Sequence, residues 1–288
     1  MPVNLPAEIQ TLDFIKLAVR HWPLADGVTP RGVAVIVHGL GEHSGRYGHV
    51  AAHLNAWGWA VVSYDHRGHG RSGGKRGLLR MERDYLHGLS MVLGEVVQTY
   101  PGQKLMLVGH SLGGLIAARY VSEALAPEAE PTWSRHIDAL VLSSPALDIG
   151  LNAAQKLMLA TVGRLAPDFP VPNGLKPEWV CRDPAVVKAY VDDPLVHDQA
   201  SGRLVRFMLD GGQHVMAQAP RWKVPTLLLY AGADRCVSPA GSARFAKLAP
   251  KDKVSAKAYL HMFHEIFNEP DQAQVFADLK HWLDTLPF

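Results

Sequence analysis

Cysteine is scarce in this chain: there are two in 288 residues, Cys181 and Cys236. Neither has a neighbour at metal-ligand spacing, and both read as free thiols of a cytosolic protein. No run of Lys or Arg exceeds two residues and the formal net charge is only +2. A nucleic-acid partner is therefore not expected. No apolar stretch approaches the length of about 18 residues that a membrane-spanning helix needs. The opening Met1-Pro2-Val3-Asn4-Leu5-Pro6 has neither the basic nor the apolar part of a secretory leader, which favours a cytoplasmic location. Internal repeats and low-complexity tracts are missing too.

What is present is an ordinary globular composition, 48% hydrophobic and 19% charged, with enough length for one large domain and an insertion. Short, wholly apolar runs recur at 33–37, 59–64, 105–108, 139–142 and 226–230. Runs apolar at every position suit strands buried on both faces, as in a parallel sheet covered by helices. Segments 14–20 and 254–259 read as flanking strands, the first at an antiparallel edge, and 47–57, 83–99, 112–125, 239–248 and 271–285 read as helices. The alternation predicts an α/β fold with a mostly parallel central sheet and helices on both faces, taking its ligand at the carboxyl ends of the strands.

The rhythm stops between Ser144 and Trp222, where no strand-like run is found. Leu151, Ala154, Leu157, Met158, Val162 and Leu165 fall on one helical face over 151–165, and 203–210 is a shorter helix candidate. The chain thus divides into core residues 1–144, a helical cap at 145–222 inserted after a central strand, and a second part of the core at 223–288. An insertion at that point borders the pocket and reads as a lid; a helical subdomain with no part in substrate entry is the alternative.

The strand at 105–108 runs straight into Gly109-His110-Ser111-Leu112-Gly113 and on into a helix of small and apolar residues. This is the layout of a nucleophile elbow, a strained strand-to-helix turn that exposes a serine hydroxyl above the sheet. A second G-x-S-x-G at Gly70-Arg71-Ser72-Gly73-Gly74 lacks that context, since Ser72 lies well past its strand and Lys75-Arg76-Gly77 is no helix start. Ser111 is the nucleophile candidate and Ser72 a turn residue. Gly68, Gly70 and Gly73 also match a dinucleotide-binding pattern, but Asp65-His66-Arg67 separate them from the strand and no helix opens inside the motif. No cofactor is expected from it, and no metal.

A serine nucleophile needs a base, an acid that orients the base, and an oxyanion hole. In the order serine, acid, histidine, Asp234 follows the strand at 226–230, and His261 and His264 follow the one at 254–259. His261 stands nearer the strand end; Asp148, after the strand at 139–142, is a rival acid. The oxyanion hole needs two backbone N–H groups. Leu112 supplies one, and Leu40, between Gly39 and Gly41 in the loop after 33–37, is placed for the other. His38, His66, His69 and His110 flank glycines nearby and read as loop-ordering groups.

The blocks His38-Gly-Leu-Gly-Glu-His-Ser-Gly-Arg-Tyr47, Asp65-His-Arg-Gly-His-Gly-Arg-Ser72, Gly109-His-Ser-Leu-Gly-Gly114, Asp193-Pro-Leu195 and Ala233-Asp234, with His264-Glu265, resemble the monoacylglycerol lipase and lysophospholipase branch of the α/β hydrolases. The resemblance implies Ser111, Asp234 and His264 as a triad, with Leu40 and Leu112 as oxyanion donors. It implies a helical cap over an apolar acyl tunnel, with the apolar residues of 151–165 in peripheral contact with a membrane surface. The expected activity is hydrolysis of a lipid ester, monoacylglycerol first, with a lysophospholipid or short-chain carboxylic ester as the alternative.

Overall fold

The computed structural model describes residues 5–125, 133–151 and 167–288. β1 (Glu8–Gln10) and β2 (Lys16–Trp22) form a hairpin, followed by β3 (Gly32–Val37), α1 (Gly48–Ala56), β4 (Trp59–Tyr64), α2 (Asp84–Thr99), β5 (Leu105–His110), α3 (Leu112–Glu123) and β6 (Ala139–Ser143). Between β6 and β9 (Thr226–Ala231) lie β7 (Pro170–Pro172), α4 (Pro184–Asp192), β8 (Gln199–Ser201) and α5 (Gly202–Gln218). The chain then adds α6 (Pro239–Leu248), β10 (Val254–Tyr259) and α7 (Gln272–Thr285).

Eight strands form one sheet in the order β1-β2-β4-β3-β5-β6-β9-β10. Every neighbouring pair from β4 to β10 is parallel, and β2 joins antiparallel at β4. β3, β4, β5 and β6 are buried at every position, which is why they read as unbroken apolar runs. One face carries Leu86, Leu89 and Leu93 of α2, Leu115 of α3, and Leu204 and Phe207 of α5. The other carries Val50 and Leu54 of α1 with Phe276, Leu279 and Leu283 of α7. The chain leaves β3 for β4 on one side and returns to β5 on the other. The loops after β3 and β5 therefore part at a topological switch point, where such sheets take their ligands.

The expected α/β architecture holds, with corrections at its margins. Segment 14–20 is displaced to Lys16–Trp22 and is not the edge, because β1 pairs outside it. β1 is three residues long with one apolar residue, Ile9, too short to show a period. The stretch 144–222 does hold strands: β7 and β8 pair antiparallel, Pro170 opposite Ser201. Two prolines in three residues hid β7. α4 was also unread, although Asp183 caps it, accepting from the Ala185 N–H at 2.8 Å ahead of Pro184.

The expected helix at 203–210 extends to Gln218 through Gly211-Gly212, which reads as a stop in the sequence. Packing demands the second glycine: a Cβ there would lie 2.5 Å from the Leu147 carbonyl oxygen. The expected helix at 151–165 lies outside the described residues apart from Leu151. Among the described residues, no helix is long and apolar enough to cross a membrane.

Candidate active site

Ser111 ends β5 and opens α3 with φ 53° and ψ −119°, a left-handed backbone that costs a non-glycine residue about 1–3 kcal/mol. Neighbouring backbone holds it there. Its N–H donates to Ser143 O at 3.0 Å, and its carbonyl accepts from Leu115 N and Ala146 N at 3.0 and 2.9 Å. The elbow must be tight, since a Cβ on Gly113 would stand 1.9 Å from Val37 O. Leu112 follows as the first residue of α3. Gly39 lies against the serine, its missing Cβ 3.2 Å from Ser111 Cβ, and Leu40 lines the same pocket.

Asp234 sits in the loop after β9 and His264 in the loop after β10. His264 Nδ1 and Asp234 Oδ2 are 2.7 Å apart, with side chains 6% and 1% exposed. Asp234 Oδ1 accepts from Cys236 N at 2.8 Å and Val237 N at 3.1 Å, so the carboxylate is aimed by backbone from one side and holds the imidazole from the other. Ser111 and His264 line one cavity of about 330 Å³. Its wall is apolar at Leu40, Leu175, Pro177, Val180, Val191 and Val196, and polar at Asn173, Lys176, Tyr190, His197 and Asp198.

The rivals fall elsewhere. His261 is exposed, and Asp148, also exposed, accepts the Gly150 N–H at 2.9 Å. Ser72 Oγ donates to Asp65 O at 2.6 Å and accepts from Ala18 N at 2.8 Å, the work of a turn residue. The glycine-rich run around it folds back on Asp65, whose Oδ2 accepts from Arg71 N at 2.8 Å.

The family described as serine aminopeptidase, S33, matches residues 28–271. A monoacylglycerol lipase of Mycolicibacterium smegmatis is 36% identical over 257 residues, 88% of each chain. The crystal structure of Paleococcus ferrophilus monoacylglycerol lipase superposes with a TM-score of 0.81 at 34% identity, covering 93% of this chain and 98% of that one. A Bacillus subtilis relative named phospholipase YtpA is 29% identical over 88% of this chain and 96% of its own length. The chain belongs to this S33 family, and its fold is the α/β-hydrolase fold.

The electrostatics of the hydrolase pocket follow from burial and from a carboxylate network. Burial disfavours a charged His264, but Asp234, with Glu265 and Glu42 beyond it, outweighs that and lifts its pKa above the usual histidine value. Burial works against the Asp234 carboxylate too, yet His264 and the two N–H groups hold it below the usual range. His110, also buried and next to His264, is pushed down to about 4; its Nδ1 lies 3.1 Å from Ser143 O.

Sequence reasoning missed the residues that brace this pocket. Glu42 Oε1 accepts from Gly39 N at 2.6 Å and Tyr47 OH at 2.5 Å, and Oε2 accepts from Arg46 at 2.6 Å. Arg46 also binds both oxygens of Glu265, at 2.6 and 2.8 Å, and lies over the Tyr190 ring. The hydrolase thereby joins the loop of Leu40 to the loop of His264 through one half-buried arginine. The i,i+4 spacing of Glu42 and Arg46 was the available signal.

Asp234, Cys236 and His264 have ligand atoms within 4.8 Å of one another and are the metal-like grouping among the described residues. Two of the three are already spent on each other, and burial holds the Cys236 thiol far above its usual range, which makes it a poor thiolate ligand.

Part of the 145–222 segment is fastened to the core around the pocket. His197 N donates to Gly41 O at 2.8 Å and Glu265 N to Val180 O at 2.8 Å. His43 Nε2 lies 2.8 Å from Asp193 Oδ2, and Arg182 pairs with Glu269. His38, His66 and His69 pack behind the Leu40 loop with ring centroids 4.0 to 5.9 Å apart. His38 Nε2 accepts from His66 N at 2.9 Å, so these rings order the loop.

Proposed function

We propose that this hydrolase is a carboxylic ester hydrolase that cleaves monoacylglycerol to a fatty acid and glycerol. The observation that carries the chemistry is the 2.7 Å pairing of His264 with Asp234 in the pocket that Ser111 lines. Ser111 Oγ attacks the ester carbonyl carbon as His264 Nε2 takes its proton, and Asp234 keeps the other ring proton on Nδ1. The carbonyl oxygen, now negative, is met by the N–H groups of Leu40 and Leu112. The tetrahedral species collapses, the carbon–oxygen bond to glycerol breaks, and His264 gives its proton to the departing alkoxide. Water then attacks the acyl-enzyme with His264 again as base, releasing the fatty acid and restoring Ser111.

The substrate class is supported by the two monoacylglycerol lipases that the chain resembles. A cavity of about 330 Å³ with an apolar wall and a few polar groups suits an acyl chain with a small polar head. Residues 145–222 act as a cap between the two parts of the core, and through the cap a cytoplasmic enzyme meets a membrane surface. Lysophospholipid or short-chain ester hydrolysis is the second reading, favoured by the phospholipase relative.

The test is a hydrolysis panel at fixed acyl length: monoacylglycerol, diacylglycerol, lysophosphatidylcholine and a p-nitrophenyl ester, with an aminoacyl p-nitroanilide for the activity in the family's name. Monoacylglycerol should be turned over best, and Ser111→Ala should lose on the order of 10⁴–10⁶-fold. Preference for lysophosphatidylcholine would install the second reading, and activity surviving in Ser111→Ala would overturn the mechanism.

A further inference from the structure

The cap is not the one apolar feature at the pocket end of the sheet. β2 runs antiparallel to β4 with Val19 opposite Tyr64, so the chain before Lys16 projects past the carboxyl end of β4, on the side where Ser111 stands. The β1–β2 turn at 11–15 sits there, with Leu12 90% and Phe14 80% exposed. A loose loop could fold such side chains away, but this turn is rigid. Thr11 N donates to Ile15 O at 2.8 Å and Phe14 N to Thr11 O at 2.9 Å. Thr11 Oγ1 donates to Asp13 Oδ1 at 2.7 Å and accepts from Ile15 N at 3.0 Å.

Phe14 has φ 65°, a left-handed conformation that glycine or asparagine adopts with less strain. A large apolar side chain is thus held in a strained turn and presented to solvent, a combination that local folding does not call for.

The surroundings indicate what the turn meets. Asp13, between the two apolar residues, is neutralised by Arg67 at 2.6 Å to both oxygens, which also pins the turn to the core. Arg80 lies 3.8 Å from Asp13, and the next residue, Met81, is 52% exposed. On the other flank Gly73 N donates to Lys16 O at 2.9 Å, which brings the exposed Arg71 and Lys75 beside the turn. Exposed apolar side chains with cations on both flanks match an anionic lipid surface, where the former enter the acyl boundary and the latter meet phosphates.

Resting on the lipid-ester reading, we infer that the turn at 11–15 is a membrane anchor separate from the cap, inserting Leu12 and Phe14 into an anionic phospholipid surface with Arg71, Lys75 and Arg80 among the headgroups.

Co-sedimentation with extruded vesicles of phosphatidylcholine, with and without phosphatidylglycerol, tests it. Leu12→Ser/Phe14→Ser should lower partitioning onto phosphatidylglycerol vesicles at least tenfold and leave p-nitrophenyl butyrate hydrolysis unchanged. Arg71→Ala/Lys75→Ala should weaken partitioning onto the anionic vesicles alone. Phe14→Gly removes the side chain while relieving the backbone, so its melting temperature should hold or rise as its partitioning falls. Wild-type partitioning by Phe14→Gly and by the double serine variant would overturn the anchor. So would loss of a dimer in size exclusion with vesicle binding unaltered, which would make a second copy the occupant. If the wild type binds vesicles through the turn yet leaves monoacylglycerol intact, the anchor stands and the substrate assignment falls.

Discussion

At the scale of single residues, the proposed mechanism turns on how one histidine is charged. His264 must be neutral to accept a proton, and Asp234 lifts its pKa above the ordinary value of 6.5 despite burial. The acid limb of kcat/KM should therefore lie above about pH 6.5. Asp234→Asn keeps the burial and removes the charge, so the limb should move to lower pH while activity falls about 10⁴-fold. An unmoved limb in that variant would mean that another group titrates. The pairing was legible in the sequence because Asp234 and His264 each follow a strand in the expected order. His264 was preferred to His261 because His261 stands close to the strand end, and the resemblance pointed the same way; the structure separates them by burial. The Glu42–Arg46 spacing was the one local hint of Arg46; its second partner, Glu265, lies 219 residues away, and no local pattern records such a contact.

At the scale of elements, the central strands were readable because burial on both faces leaves no polar position to confuse the pattern. β1, β7 and β8 were not, because three residues carry no period. α5 was cut short for a different reason. Gly211-Gly212 carries the usual mark of a helix end, yet here tertiary packing outweighs propensity. Gly212→Ala should therefore destabilise: a Cβ 2.5 Å from the Leu147 carbonyl forces backbone to shift, costing about 1–3 kcal/mol against a gain of about 1 kcal/mol in helix propensity. A fall in Tm of a few degrees is expected by calorimetry. Gly211→Ala, which would meet Leu115 side-chain atoms at 3.3 Å or more, should change Tm less or raise it.

Across the whole molecule, the buried histidines set a limit on acid stability. Burial, with His69 alongside, pushes His38 down to about 3, and burial beside His264 pushes His110 down to about 4. The unfolded chain takes up these protons near pH 6.5, whereas the folded chain refuses them until pH 3–4. Their contribution is therefore intact above pH 6.5 and drains as pH falls, by about 1.4 kcal/mol per pH unit for each group. His264 works the other way, its raised pKa favouring the folded state until pH climbs through it, but it is one group against several. Urea midpoints measured from pH 7 to pH 5 should drop steeply, and a flat profile would mean that these rings are hydrated in the folded state.

The fastening of 176–201 to the core has its own consequence. The rim of the pocket is joined through His197 to the loop of Leu40, and through Val180 to the residue after His264. On the proposed mechanism, a substrate that strains the rim also displaces the groups assigned to stabilise its transition state. Discrimination of this kind is written into turnover and not into affinity: an ill-fitting ester can occupy the site as readily as the right one and still go uncleaved.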